Sequence, residues 1–500
     1  MILKPQREDL QIIAFFIGKI AIGLGLVMFI PLIVALCLGE NPAGFDFLIA
    51  ASLALIVGLS MTILCRTGKD LNWTQGMIVV ALSWLLAMVF GAIPFYLSGH
   101  WRSFLDACFD AMSGFATTGL VLVTDLDHLP LSVNLWRHLI MFIGGQGIVV
   151  VVLAFLLKGF SGALKMYVGE AREEKILPNI IQTARFIWLV SIVYFIIGTI
   201  VLSLVGKFEG LSWGRAFFHG SCIFMAAFDT GGFSPQSQNM LYYHSPLFEL
   251  VSIFLMFLGA LNFKLHHTIW TGDRKELRRN IEIITFIVTL SIAFFITALA
   301  LHRLNIYPNA VMLMRRGFFQ VFSAHTGTGH TNLYPQQMVA SWNSLALVGL
   351  IVAMAIGGCV CSTTGGIKLL RIGVLFKALV QDIKSILLSE RAIVVGKIHH
   401  IKDMILEEKH VRSALTIFLA FLFLYSFGSL MGMFMGYSLL SSLFESTSAA
   451  ANVGLSCGIT SPTMPQALKI VYIFQMWIGR LEFMSVFVLI GFIVSAIKGK

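Results

Sequence analysis

The chain has 500 residues, of which 57% are hydrophobic and only 12% are charged, whereas about 25% are charged in a typical soluble domain. Its seven cysteines have no spacing typical of a zinc site or a disulfide framework. The formal net charge of +10 does not indicate nucleic-acid binding, because 26 of the 35 Lys and Arg residues fall on the side of the predicted spans that holds the N-terminus and 8 on the other. This positive-inside asymmetry predicts a multi-pass membrane protein with both termini in the cytoplasm.

Apolar runs long enough to cross a bilayer begin near the N-terminus. The runs 12–36, 47–64, 77–96, 186–204 and 414–437 each reach or approach the roughly 20 residues of a membrane helix. We predict ten spans, as an N-terminal hairpin of about 12–36 and 47–65 and four further pairs. A signal peptide is the alternative for the first run. However, that run is longer than the roughly 7–15 apolar residues of such peptides and has no clear cleavage site.

Each of the four later pairs contains a short amphiphilic segment that ends on a glycine. These glycines are spaced by 113, 97 and 125 residues, and they are Gly119, Gly232, Gly329 and Gly454. Segments such as 101–115, 315–324 and 438–450 are too short and too polar to span, so we predict half-helices that enter from outside. The partial negative charge at the end of such a helix favours a cation. The predicted units are the hairpin 1–70 and the pore repeats 71–160, 161–272, 273–400 and 401–500.

The four glycines are suited to a selectivity filter. Glycine tolerates positive φ and allows four backbones to approach closely, and irregular backbone at membrane depth is stable only where it is buried or lines water. A simple helix C-cap is the alternative for any one glycine, but four in similar register after similar half-helices favour a common pore. The candidate ion-binding residues are Thr117, Thr118, Gly119, Thr230, Gly231, Gly232, Gly327, Thr328, Gly329, Asn452, Val453 and Gly454.

The second span of each repeat carries a glycine near its middle, 25 to 28 residues after the filter glycine: Gly144, Gly259, Gly357 and Gly479. The next residue is small in three repeats and is Arg480 in the fourth. A mid-span arginine costs at least about 2.5–3.5 kcal/mol and usually faces the protein interior or a water-filled cavity. By repeat symmetry we predict that Arg480 faces the axis just inside the filter and repels cations. A structural pair with Glu482 is the alternative, but residues i and i+2 do not share a helix face.

The second span of the third repeat contains the sequence GGCVCSTTGGIK at 357–368. Four glycines make a poor continuous helix, so we predict two halves, 345–356 and 367–380, joined by a loop that blocks or opens the conduit. A phosphate-binding loop is the competing interpretation, but the G-x-x-x-x-G-K-[ST] spacing is missing and the setting is a span. The candidate gate residues are Arg480, Gly357, Gly358, Ser362, Thr363, Thr364, Gly365, Gly366 and Lys368.

These motifs resemble the Trk/Ktr/HKT superfamily of potassium transporters, and its TrkH-type subunit in particular. The resemblance rests on the four filters, on GGCVCSTTGGIKLLR at 357–371 and on GRLE at 479–482, and it covers about residues 70–497. It implies an all-α integral membrane protein with four parallel M1–pore helix–M2 repeats around a pseudo-fourfold pore. The N-terminal transmembrane hairpin matches the extra hairpin of the TrkH branch. All four filter positions are glycine, as in the potassium-transporting members.

The resemblance also implies a function and partners. K⁺ would enter across the inner (plasma) membrane of a bacterium, coordinated by filter carbonyls and gated by the third-repeat loop and Arg480. The implied partners are a second copy of the chain and a cytosolic ring of TrkA-like RCK subunits. Those subunits would bind nucleotide, and we expect no cofactor on this chain. Asp229, His325 and His330, beside the second and third filters, either alter Na⁺ discrimination and pH dependence or hydrogen-bond the filter scaffold.

Two other functional classes fit the sequence less well. Ion-coupled secondary symporters often have inverted repeats, whereas two spans per unit give all four units the same orientation. An intramembrane enzyme needs a nucleophile with a base, or a metal cluster, within the spans. The pairs His266-His267 and His399-His400 lie at or beyond the cytoplasmic boundary instead, so we expect no enzyme activity.

Overall fold

The computed structural model describes residues 6–155, 163–172, 176–177, 179–307, 309–388 and 395–498. Six helices in these ranges are long and apolar enough to cross a membrane, and two sharply bent helix pairs also qualify if each pair counts as one span. The predicted boundary between the first two repeats, at 160/161, lies outside the described residues. We call the side that carries the four filter loops the filter side, and the other the opposite side.

The N-terminal hairpin consists of α1 (Arg7–Val27), α2 (Phe29–Leu38) and α3 (Asn41–Leu64). The span predicted over 12–36 is therefore longer than expected and is interrupted at Met28. Gly18 and Gly58 lie at the crossing of α1 and α3, where a Cβ on either glycine would overlap the carbonyl oxygen of the other. Small residues of this kind let membrane helices approach closely, which accounts for the tight hairpin.

Each repeat contains an outer helix, a short pore helix and an inner helix, in that order. The first has α4 (Trp73–Leu97), α5 (Phe104–Phe115), α6 (Leu131–Gln146) and α7 (Ile148–Phe155), followed by α8 (Ala163–Gly169). The second has α9 (Ile180–Phe208), α10 (Trp213–Phe228), a 3₁₀ turn (Asn239–Tyr243), α11 (Pro246–Ala260) and α12 (Phe263–Trp270), followed by α13 (Glu276–Arg279).

The third and fourth repeats follow the same order. The third has α14 (Ile281–Arg303), α15 (Ala310–Leu313), a π-helical turn (Met314–Phe318), α16 (Phe319–His325), α17 (Pro335–Ser341), α18 (Ser344–Ile356) and α19 (Leu369–Leu387). The fourth has α20 (Glu408–Phe434), α21 (Leu439–Ala450), α22 (Gln466–Arg480) and α23 (Met484–Lys498). The pore helices α5 and α21 lie within the predicted half-helices 101–115 and 438–450, whereas the one predicted at 315–324 is divided between the π-helical turn and α16.

The pore helices form the centre of the bundle, and the outer helices form its surface. Residues 106–115 of α5 and all of α16 are buried. The outer helices expose large apolar side chains instead, among them Ile197, Phe295 and Phe423. An exposed apolar surface of this extent is suited to contact with lipid.

All four inner helices are interrupted near the middle, whereas the sequence predicted a break in the third only. α11 and α12 are bent by 100°, and α22 and α23 by 114°. In the first repeat Gly147, with φ of 96°, separates α6 from α7, and in the third the loop 357–368 separates α18 from α19. The fourth break contains no glycine: Glu482 and Phe483 themselves adopt φ of 49° and 73°, which is uncommon for such residues.

A small antiparallel hairpin on the opposite side is an addition to the predicted all-α fold. It pairs β1 (Lys397–His400) with β2 (Lys402–Ile405), and its strands are too short to give a clear alternating pattern in the sequence. Glu276 of α13 accepts a hydrogen bond from the N–H of Ile401 at 2.9 Å, and its other oxygen lies 2.8 Å from Nε2 of His399. These contacts fasten the hairpin to the connection between the second and third repeats.

Candidate ion pathway

The four filter loops close into a ring. A Cβ added to any filter glycine would overlap the carbonyl oxygen of the residue that precedes the filter glycine of the next repeat. The contacts are Gly119 with Gly231, Gly232 with Thr328, Gly329 with Val453, and Gly454 with Thr118. The repeats therefore follow one another around an axis in chain order, and the fourth returns to the first. No side chain fits between the loops at these positions, which explains the requirement for glycine.

The filter backbone has the same conformation in all four repeats. The filter glycines have φ of 91°, 70°, 79° and 89° in chain order. The residues two positions earlier also have positive φ, and they are Thr117 (50°), Thr230 (51°), Gly327 (68°) and Asn452 (56°). Left-handed backbone costs a non-glycine residue roughly 1–2 kcal/mol, so the three side chains at this position must make contacts that offset the cost.

The side chains of Thr117, Thr230 and Asn452 do make such contacts. Thr230 Oγ1 lies 3.1 Å from Thr363 Oγ1, and Thr117 Oγ1 donates to the carbonyl of Thr363 at 3.4 Å. Asn452 Nδ2 donates to Thr118 Oγ1 at 3.0 Å. The first and second filters are thus joined to the third-repeat loop, and the fourth filter is joined to the first.

The residues just before the filter glycines are bound through their N–H groups but not through their carbonyls. The N–H groups of Thr118, Gly231, Thr328 and Val453 donate to pore-helix carbonyls at 2.7–2.9 Å. Within the described ranges no hydrogen bond occupies their own carbonyl oxygens. A buried carbonyl without a partner costs free energy, and a cation can supply that partner. The described residues contain no group of three or more His, Cys, Asp or Glu that could hold a metal ion, so this site offers backbone oxygen.

The mid-span glycines of the inner helices allow the pore helices to pack closely. In three repeats, a Cβ added to the mid-span glycine would overlap a carbonyl oxygen at the end of the pore helix. That carbonyl belongs to the residue four positions before the filter glycine. The pairs are Gly144 with Phe115, Gly259 with Phe228, and Gly479 with Ala450. In the third repeat Gly357 packs instead against Gly365 of its own loop. The regular spacing of these glycines in the sequence therefore reflects one contact, made three times.

The loop 357–368 lies next to the bases of the filters. Its residue Thr363 contacts all three other repeats. Thr363 Oγ1 donates to the carbonyl of Phe228 in the second repeat at 3.1 Å. The Thr363 carbonyl accepts hydrogen bonds from Thr117 in the first repeat and from Arg480 in the fourth. Because the four repeats surround one axis, a residue that contacts the other three lies close to that axis; that the loop blocks or opens the conduit remains a prediction.

The two ends of this loop are hydrogen-bonded to each other. The N–H of Lys368 donates to the carbonyl of Ile356 at 2.8 Å, and the N–H of Ile367 donates to that of Ala355 at 3.2 Å. The buried Lys368 ammonium turns back into the loop and donates to the carbonyl of Thr364. The middle of the loop can therefore rearrange without separating α18 from α19.

Arg480 lies beside the same axis. Its guanidinium donates to the carbonyls of Gly144 and Gly145 at 2.7 and 3.1 Å and to that of Thr363. One side chain of the fourth repeat thus connects the first repeat with the third-repeat loop. Arginine stays charged at all physiological pH values, so a cation leaving the filter meets a fixed positive charge. Its role as a barrier remains a prediction.

Glu482 pairs with the far end of the loop and not with Arg480. It forms an ion pair with Arg371 and lies 4.0 Å from the ammonium of Lys368. Arg371 also donates to the carbonyl of Ile367 at 3.0 Å. Sequence reasoning missed this role because Glu482 lies in an inner-helix break that has no glycine.

A second carboxylate outside the predicted site also holds the loop. Glu282, at the start of α14, accepts a hydrogen bond from the N–H of Val360 at 2.7 Å. Its other oxygen lies 3.7 Å from Nδ1 of His400 in β1. The hairpin and the loop therefore share one buried carboxylate, which no local sequence motif could have indicated.

Two of the three polar residues beside the filters contact the protein scaffold. Asp229 accepts a hydrogen bond from Gln146 Nε2 at 2.6 Å. His325 Nε2 lies 2.7 Å from the hydroxyl of Thr289 on the outer helix α14. Both contacts orient the base of a filter, as expected for residues that support it.

His330 reaches a filter carbonyl through Asn239. His330 Nδ1 lies 3.0 Å from Asn239 Oδ1, and Asn239 Nδ2 donates to the carbonyl of Gly232 at 3.1 Å. Asn239 has φ of 53°, a conformation that Asn tolerates better than most residues. Sequence reasoning missed Asn239, although it links the second filter to the third.

Comparison with known proteins agrees with this geometry. Residues 43–495 match the TrkH family model, which is described as a cation transport protein. The chain belongs to the TrkH family. This is a family of transport proteins and not of enzymes, and it is the family that the sequence motifs resemble.

Similarity to individual TrkH family proteins extends over nearly the whole chain. A cation transporter of Methanocaldococcus jannaschii is 32% identical over 488 residues, which are 98% of this chain and 97% of the relative. The Trk system potassium uptake protein TrkH of Escherichia coli K12 is 29% identical over 486 residues, 95% and 96% of the two chains. The crystal structure of the potassium transporter TrkH from Vibrio parahaemolyticus has a TM-score of 0.80 at 25% identity, with 97% and 98% coverage. This structural likeness confirms the predicted fold class.

Proposed function

We propose that this TrkH family member takes up K⁺ through the ring of filters. The observation that carries the proposal is the cyclic set of four carbonyls, those of Thr118, Gly231, Thr328 and Val453, that no hydrogen bond occupies within the described ranges. Carbonyl oxygens can replace the hydration shell of K⁺ without introducing a fixed charge. The names of the relatives from E. coli and V. parahaemolyticus, which describe potassium uptake and transport, support K⁺ as the ion.

The loop 357–368 and Arg480 form the gate of this pathway. In the present arrangement the loop obstructs the route beneath the filter and is joined to the other repeats through Thr363. Conduction requires Thr363 and Arg480 to separate from each other and leave the axis. The hydrogen-bonded ends of the loop allow this movement without unfolding the two helices it connects.

The filter side faces outward, and the opposite side faces the cytoplasm. The excess of Lys and Arg on the side of the termini supports this orientation through the positive-inside rule. The membrane is the inner (plasma) membrane, and the functional unit is a homodimer with a TrkA-like ring of RCK subunits. That ring docks on the basic cytoplasmic side and binds the nucleotide. Family membership and the charge distribution support this assembly.

A flux measurement tests the filter. Purified protein in proteoliposomes is assayed for uptake of radioactive rubidium and sodium, with and without the cytosolic partner. Gly232→Ser places a side chain against the Thr328 carbonyl at a φ of 70°, so we expect the rubidium-to-sodium uptake ratio to fall about tenfold, which corresponds to about 1.4 kcal/mol. Gly214→Ser is the matched control, because a Cβ at this glycine of the same repeat meets nothing within 4 Å.

Three results would contradict the proposal. Folded wild-type protein that shows no rubidium uptake with its partner present would exclude a channel-like pore. Uptake that depends strictly on a proton or sodium gradient would favour the ion-coupled symporter instead. An unchanged ratio in Gly232→Ser would show that selectivity arises elsewhere.

A further inference from the structure

A cavity of about 370 Å³ lies on the opposite side, and its lining includes neither the filters nor the loop 357–368. It is located where the starts of α4 and α20 meet α8 and the break between α22 and α23. Its volume is within the roughly 300–1,000 Å³ range of small-molecule sites. Its apolar wall is formed by Met77, Val168, Ile417, Leu481 and Met484.

The polar wall of the cavity is basic. It contains Arg371, Lys409, Arg412 and the hydroxyl residues Ser413 and Thr416, and Glu482 is its acidic member. Glu482 is already paired with Arg371, and Lys409 is paired with the exposed Glu407 at 2.7 Å, a type of pair that contributes little. The Arg412 guanidinium has no hydrogen-bond or ion-pair partner within the described ranges.

One face of α20 is basic beside the cavity and becomes apolar further along the helix, toward its C-terminal end. Arg412, Thr416, Leu419 and Phe423 follow at helical spacing, and all four are exposed. Leu419 and Phe423 are 54% and 73% exposed, on a helix long and apolar enough to span. The cavity therefore opens onto the lipid-facing surface at the level where the bilayer core would begin.

We propose that this cavity binds the headgroup of an anionic phospholipid from the cytoplasmic leaflet. The phosphodiester oxygens accept hydrogen bonds from Arg412 and the Ser413 hydroxyl, and the acyl chains lie along Leu419 and Phe423. Basic pockets between membrane helices on the cytoplasmic side are suited to anionic headgroups. A free phosphate ion offers the same oxygens but would leave the apolar wall and the α20 stripe without a partner.

The bound headgroup also acts on the gate, and this part rests on the proposed function. Arg371 lines the cavity and at the same time holds the end of the loop 357–368 through Glu482 and the Ile367 carbonyl. A phosphate in the cavity competes with Glu482 for Arg371. Anionic lipid therefore loosens the end of the loop and increases ion flux.

Native mass spectrometry of the full chain, exchanged into defined phosphatidylglycerol and phosphatidylcholine, tests the binding. We expect wild type to retain one phosphatidylglycerol in preference to phosphatidylcholine, and Arg412→Gln to bind it about tenfold more weakly, as expected for loss of a charge-assisted hydrogen bond. Arg66→Gln is the matched control: it removes the same charge from an exposed position on the same side, outside the cavity. Equal losses in Arg412→Gln and Arg66→Gln would overturn the site in favour of general surface attraction.

Two further arms distinguish the source of the phosphate and test the gate. Millimolar inorganic phosphate that displaces the lipid at Arg412 would overturn the lipid assignment and show a soluble-anion site. In vesicles, replacing phosphatidylcholine by phosphatidylglycerol should raise rubidium uptake severalfold in wild type and in Arg66→Gln, but not in Arg412→Gln. Lipid retention without this effect would overturn the link to the gate only, and retention does not depend on whether the chain transports K⁺.

Discussion

The filter half of the molecule repeats the same contacts four times, whereas the half beneath it is different in every repeat. Each filter has a glycine with positive φ that packs against a carbonyl of the next repeat, and a second left-handed residue two positions earlier. The inner helices, by contrast, are interrupted by a single glycine, by a sharp bend, by a long loop and by a bend that contains Glu482 and Phe483.

The difference agrees with the proposed function, in which the filters coordinate the ion and the region beneath them closes the pathway. Coordinating an ion that has lost its hydration shell requires oxygens from all sides, so each repeat must contribute equally. Obstructing an axis requires only one obstacle, and four equal loops could not occupy it at once. One long loop and one arginine, from the third and fourth repeats, are therefore sufficient beneath the filter.

The largest expected effect is on the free energy of unfolding, when the ion pairs at the boundaries between repeats are removed. Lys469 and Asp106 join the fourth repeat to the first at 2.5 Å, and their side chains are 5% and 2% exposed. Arg315 and Glu249 join the third repeat to the second at 2.9 Å, and the Arg315 side chain is 27% exposed. Both ion pairs thus join neighbouring repeats, but solvent is excluded from the first and reaches one end of the second.

Lys469→Met should destabilise the protein by about 3–5 kcal/mol, because it leaves the Asp106 carboxylate buried without its partner. Arg315→Met should cost less, about 1–3 kcal/mol, because solvent reaches the Arg315 end of the pair although the Glu249 side chain is only 6% exposed. Thermal unfolding in detergent measures both. The double variant Lys469→Met/Asp106→Asn should recover most of the stability. Equal losses in the two single variants would show that burial does not distinguish the boundaries.

Arg480→Gln tests whether the asymmetric half acts through charge. Two like unit charges about 8 Å apart repel by about 2 kcal/mol at an effective dielectric constant of 20, which is about thirtyfold in rate. We therefore expect rubidium uptake without the cytosolic partner to rise about thirtyfold. Arg480→Lys is the control, because it keeps the charge but cannot reach the carbonyls of Gly144 and Thr363 together. If both variants raise uptake equally, the hydrogen bonds, and not the charge, close the pathway.

The sequence predicted the parts of the site whose cause is local and repeated. The filter glycines could be found because all four meet one steric requirement at regular spacing, and the mid-span glycines because three of the four do. Arg480 could be found because a charge within a span is costly and must face the interior. The loop 357–368 could be found because its composition does not favour a continuous helix.

Contacts between distant residues could not be predicted. Thr363 gives no sign in the sequence that it contacts three other repeats, and Asn239 lies outside every recognised motif. The break after α11 was missed because Leu261 and Asn262 are neither glycine nor proline and do not mark a helix break in the sequence. It is stabilised by tertiary contacts, including the N–H of Phe263, which donates to the carbonyl of Cys361 in the third-repeat loop at 3.4 Å.

The smallest expected effect is a pH dependence of the stability of the hairpin β1–β2 on the opposite side. His399 lies 2.7 Å from Asp403 and 2.8 Å from Glu276, and hydrogen bonds to these two carboxylates raise the pKa of His399 above its ordinary value of 6.5. The stabilisation by protonated His399 is therefore complete below the unfolded pKa and is lost as the pH rises through the higher folded value. The hairpin should loosen from near-neutral pH upward.

Hydrogen exchange at the amide of Ile401, which donates to Glu276 at 2.9 Å, measures this loosening. Exchange, corrected for the intrinsic effect of pH, should accelerate by up to about fivefold across this range, since a partly exposed ion pair contributes at most about 1 kcal/mol. His399→Gln should abolish the pH step, whereas the exposed His302→Gln at the other end of α14 should preserve it. A step that persists in His399→Gln would assign the titration to His400, which faces Glu282. The hairpin would then be coupled directly to the carboxylate that holds Val360 of the loop 357–368.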